Sequence, residues 1–74
     1  MVKSLKIVIA DFFCCLVTDH ADPNENISLL NQAKKNYLRE AVNPEYAEYC
    51  ERRIAEVSSL IAYHKARKVV NFDN

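Results

Sequence analysis

The side chains of this sequence that could act as nucleophiles or metal ligands are Cys14, Cys15, Cys50, His20 and His64, with Asp19 beside His20. Nucleophilic catalysis needs a nucleophile, a base and a device that stabilises an oxyanion, usually backbone amides shaped by a loop or helix end. Cys15, Asp19 and His20 are close in sequence, but the chain contains no glycine to shape such a loop. No catalytic residue is expected, and the chain reads as a non-enzyme. The cysteines are odd in number, two are adjacent, and none has the spacing of a disulfide framework or a zinc site. Neither metal nor cofactor is expected, and reduced thiols point to a cytoplasmic setting.

Two groups of basic residues could instead form a binding site. Lys34 and Arg53 both fall within otherwise apolar helical faces. Flanked by Tyr37 and Tyr49, they could hold an anionic ligand, although snorkelling to the rim or pairing with Asp11 or Glu40 is the simpler outcome. Lys65, Arg67 and Lys68, beside Tyr63, form a basic run that could grip phosphates. The same run could serve only to complement the negative end of its own helix. Ten basic residues balance ten acidic ones, so the chain lacks the positive excess of nucleic-acid-binding domains, and nucleic acid is not the favoured partner.

These residues must be positioned by helices. Without glycine, beta hairpins lose their usual turn residue, and the strong punctuation is Asp22-Pro23 and Asn43-Pro44, each a capping residue followed by proline at the first helical position. The second helix is expected over about 23–42, with Glu25 placed for a capping box and with Ile27, Leu30, Ala33, Tyr37, Leu38 and Ala41 on one face. The third is expected over about 44–69, where Ala47, Cys50, Ile54, Val57, Ile61 and His64 form a seam, leaving a short tail over 70–74. A two-residue junction predicts a long antiparallel hairpin, with Leu30 near Val57 and Ile27 near Ile61.

Residues 2–19 admit two readings. Lys6-Ile7-Val8-Ile9-Ala10-Asp11 is similar to the first strand of response-regulator receiver domains, but that likeness covers six residues, and the receiver fold needs a far longer chain. A lone strand would have no partner, so a first helix is expected, with Leu5, Ile9, Phe12, Phe13 and Leu16 on its apolar side. The charged start and apolar run resemble a secretory signal, but Asp11 interrupts the run, and no small-residue cleavage site follows. The segment is therefore kept in the fold. The hairpin also resembles those of sporulation phosphatases, yet Val57-Ser58 stands where that family's signature has leucine and aspartate, and membership is not inferred.

The expected architecture is all-α, a single helical domain over 1–74, with an apolar N-terminal helix and a helical hairpin. At this length folding hides only about 60% of the unfolded surface, and the apolar faces outnumber the partners one copy offers. A homo-oligomer that binds another protein, as a small regulator or inhibitor would, is the expected function. Phe12, Phe13, Leu16, Tyr46 and Tyr63 are the expected contact residues, with the small-residue face Ala55, Ser59, Ala62 and Ala66. The alternatives are an anion or nucleic-acid binder and a membrane-surface protein anchored by residues 2–19, the latter not favoured.

Overall fold

Side-chain caps define where the helices begin. In the computed structural model, which describes the backbone of residues 4–73 and the side chains of 4–68, Ser4 Oγ accepts from the Ile7 amide at 3.3 Å and opens α1 (Leu5–Leu16). Asp22 Oδ1 accepts from the Asn24 amide at 2.9 Å, and Pro23 occupies the first position of α2 (Pro23–Glu40). Glu25 lies in the first turn, where its charge complements the helix dipole, but the bond back to Asp22 expected of a capping box is not made. Asn43 Oδ1 accepts from the Glu45 amide at 3.0 Å, and a turn over 44–46 leads into α3 (Ala47–Asp73). The described residues are all-helical, with no strand and no positive φ, in keeping with a chain that lacks glycine.

The boundaries differ from expectation at several points. The first helix is shorter than 2–19: Val17 is extended, and Thr18 turns the chain by accepting the Ala21 amide at 3.2 Å, while residues 2 and 3 lie outside the described part. Regular helix begins at Ala47 rather than Pro44, because Tyr46 bonds back three residues to Asn43 in a tight turn. The connection between α2 and α3 is thus longer than two residues. At its far end α3 runs on to Asp73, since neither glycine nor proline is present to stop it at 69.

α2 packs against both α1 and α3. The molecule measures 46 × 17 × 14 Å, its length set by α3, whose 27 residues need about 40 Å. The core is narrow: Ile7 and Ala10 from α1, Leu30, Ala33 and Tyr37 from α2, and Cys50, Val57 and Ile61 from α3. Leu38, expected on the inner face of α2, is 52% exposed, and Asn26 is buried instead. The reason is that α2 holds α1 through its amides. Asn26 Nδ2 donates to the Thr18 carbonyl at 2.6 Å beyond one end of α1, and Asn36 Nδ2 donates to the Lys6 carbonyl at 3.2 Å near the other.

Candidate functional site: a polar clamp and the apolar face it turns outward

Ile7, Ala10, Asp11 and Cys14 follow one another at steps of three, one and three, a single face of α1, and this face points inward. Asp11 is its polar member. Its Oδ1 accepts the Tyr37 hydroxyl in a short hydrogen bond, and both its oxygens lie 3.0 Å from the Tyr49 hydroxyl. Arg53 completes the cluster, with Nε 3.2 Å from the Tyr37 oxygen and 3.8 Å from Asp11, while its other arm meets Glu56 at 2.8 Å. Tyr37 and Tyr49 meet edge to face, and the Arg53 guanidinium lies 5.6 Å from the centre of the Tyr37 ring. Cys14 Sγ is 4.0 Å from the Tyr37 hydroxyl. Burial, and then the bond to Asp11, push the Tyr37 phenol well above its ordinary range, so it stays a donor. Burial opposes the charge on Arg53 more than any one neighbour favours it, but the hydrogen bond to Tyr37 and the surrounding charges, Glu56 among them, together prevail and the guanidinium stays charged.

Three of the four residues proposed for an anion site therefore meet around an anion the chain itself supplies. Arg53, Tyr37 and Tyr49 surround the Asp11 carboxylate. Lys34 is half-buried and contributes no hydrogen bond to the cluster. The shallow depression beside it, lined by Glu45, Glu48, Tyr49 and Arg52, is open and carries two carboxylates, which would repel an anion.

A second cluster ties the loop over 17–22 to α3. Arg67 donates to the Asp19 carbonyl at 2.7 Å, lies 3.8 Å from the Asp19 carboxylate and reaches His64 Nδ1 at 2.8 Å. His64, on the seam expected of α3, is 1% exposed and lies against Arg67 and Tyr63. Burial, and then the Arg67 charge, lower its pKa, with Asp19 opposing. Arg67 is thus engaged within the chain, whereas Lys65 and Lys68 are exposed. None of the three lies in the last turn of α3, so the basic run does not cap the helix end as its sequence position implied.

Cys15 and His20 are exposed, and no hydrogen bond joins either to Asp19. Among the described residues no three His, Cys, Asp or Glu side chains are grouped to hold a metal ion.

The opposite face of α1 carries Leu5, Val8, Ile9, Phe12 and Leu16, exposed by 73, 49, 37, 59 and 46% respectively. Phe12 and Leu16 from the expected contact set lie on this stripe, while Phe13 leans on the core with its ring 6.5 Å from that of Phe12. Tyr46 also packs on the core, and Tyr63 is half exposed over His64. Ala55, Ser59, Ala62 and Ala66 are exposed on α3 and receive no helix of their own chain. The pairing of Arg53 with Asp11 was among the outcomes expected from the sequence; what the sequence did not disclose is that Tyr37 and Tyr49 share that carboxylate, so that α1 turns Asp11 inward and its apolar stripe outward. The available signal was a carboxylate, two tyrosines and an arginine at inward positions of successive helices. No helix of the described residues is long and apolar enough to cross a membrane. Comparison with protein-family models, with curated proteins and with solved structures finds no match to this chain.

Proposed function

We propose that this chain is a non-enzymatic interaction module that acts by presenting the outward face of α1 to an apolar helical face of another protein, a second copy of the chain included. The observation that carries the reading is the stripe Leu5, Val8, Ile9, Phe12 and Leu16, exposed on a helix whose other side is bound by the Asp11 cluster. A helix free to roll would bury those five side chains first, at roughly 1.5 to 3 kcal/mol each. Holding them in water is costly for a thin core, and a partner that covers them recovers that cost. The rest of the fold acts as the mount: α2 and α3 are read as an antiparallel pair, a reading supported by the Tyr37 to Arg53 bond at one level and by Arg67 reaching Asp19 at another. Three unpaired thiols suit a reducing, cytosolic setting. A role as regulator or inhibitor accords with such a contact face.

The test is a photo-reactive phenylalanine analogue at position 12, illuminated in the cell that makes the protein. A discrete protein adduct, lost when Leu5→Gln and Leu16→Gln are added while helix content is unchanged, is the expected result. Adducts to lipid alone, or none, overturn the reading.

A further inference from the structure

Four of the five stripe residues, Leu5, Ile9, Phe12 and Leu16, are separated by steps of four, three and four, with Val8 to one side of that line. That spacing reads identically in both directions along the helix. An antiparallel contact about a two-fold axis perpendicular to the helix pairs each residue with the one at the mirrored position, and this spacing satisfies it. With the axis crossing α1 between Ala10 and Asp11, Leu5 falls opposite Leu16 of the partner subunit, and Ile9 opposite Phe12 of the partner subunit. Each long aliphatic chain meets another at the ends, and each ring meets a β-branched chain at the centre.

The charges favour the same geometry. Within α1 the ionisable charges are Lys6 and Asp11, and Asp11 is held inward by Tyr37 and Tyr49. In an antiparallel pair Lys6 lies level with Cys15 of the partner subunit, and the two ammonium groups stand about nine residues apart along the axis, about 13 Å. That exceeds the screening length of about 10 Å at moderate salt. A parallel pair would set the two lysines side by side and align the helix dipoles head to head. The balanced total charge of the chain adds no repulsion between copies.

We infer that the outward face of α1 is a self-complementary seam on which a second copy of this chain docks antiparallel, Leu5 against Leu16 and Ile9 against Phe12. The inference rests on the stripe being a docking face and names its partner. A seam one 12-residue helix long, about 18 Å, is smaller than the roughly 800 Å² per side of a standard interface. A contact this small belongs with the transient interfaces, and the dimer exchanges with monomer.

The experiment uses Leu5→Cys and Leu16→Cys separately, each in a Cys15→Ser background, with mild oxidation and mass analysis, alongside sedimentation of the native chain from micromolar to millimolar concentration. Both substituted positions are exposed, so neither variant perturbs the core. The expected result is an apparent mass that doubles with concentration, and a disulfide that accumulates when the two variants are mixed and far less with either alone. Efficient disulfide formation by Leu5→Cys on its own indicates a parallel pair and overturns the geometry. A strict monomer with no cross-link in the mixture overturns self-docking. The position-12 photo-adduct distinguishes the two levels: an adduct to a different protein from a strictly monomeric chain rejects the second copy while leaving the docking face standing.

Discussion

Tyr49 on α3 donates its hydroxyl to the Asp11 carboxylate on α1, 3.0 Å from each of its oxygens. With Tyr37 from α2 on the same carboxylate, one acidic side chain joins all three helices. Each hydroxyl has a measurable value. Tyr37→Phe is expected to lower unfolding stability by about 1 to 2 kcal/mol, since it deletes a bond to a charged acceptor and also deprives Arg53 of a partner. Tyr49→Phe should cost about 1 kcal/mol. Because the two hydroxyls share one acceptor, the double variant should depart from the sum of the singles in a urea-unfolding cycle. Additive losses would mean the cluster does not act as a unit.

His64 makes stability depend on pH. Its neighbours are Arg67 on its own helix, Tyr63 against its ring and Asp19 from the 17–22 loop. Burial and the Arg67 charge lower its folded pKa, so as pH falls through about 6.5 the unfolded chain takes up a proton that the folded chain refuses. Stability should be complete above that value and decline below it, down to the folded pKa. Urea midpoints measured across the range should slope for the native chain and flatten for His64→Phe. An unchanged slope in that variant would assign the pH dependence elsewhere.

The three thiols should separate by reactivity. Cys15 is exposed, Cys14 is half-buried beside Tyr37, and Cys50 is buried, its pKa raised by burial and then by Glu40 and Asp11. A thiol reagent followed by peptide mapping should label Cys15 first and Cys50 only when the fold opens. Early labelling of Cys50 would contradict the packing of α3 on the core.

Much of the frame was legible in the sequence because its signals are local. Asp22-Pro23 marked the start of α2 correctly, and the periodic residues Leu30, Ala33, Tyr37, Cys50, Val57 and Ile61 do form the core. Asn43-Pro44 marked a cap but misplaced the regular helix, because a tight turn intervenes before Ala47. The site was harder to read. Hydrophobicity alone orients α1 with Leu5, Ile9, Phe12 and Leu16 inward, whereas the structure rolls it so that Asp11 reaches three partners spread over two other helices. Such a cluster exists only in three dimensions: its members are up to 42 positions apart, from Asp11 to Arg53, and no spacing rule links them. The burial of Asn26 follows from the same cause, since the anchoring of the 17–22 loop by Asn26 and Arg67 is a tertiary event.

Neighbouring residues on α1 give the most direct test of its orientation. The measurement is the free energy of unfolding of Asp11→Ala and Phe12→Gln, taken at a concentration low enough to keep the chain monomeric. With Asp11 inward and Phe12 in solvent, Asp11→Ala should lose about 2 kcal/mol by stranding the tyrosine hydroxyls, although alanine is the better helix former. Phe12→Gln should stay within about 0.5 kcal/mol of native. A Phe12→Gln protein that unfolds beside an Asp11→Ala protein of native stability would show that α1 buries its apolar side after all, and the docking face would not exist.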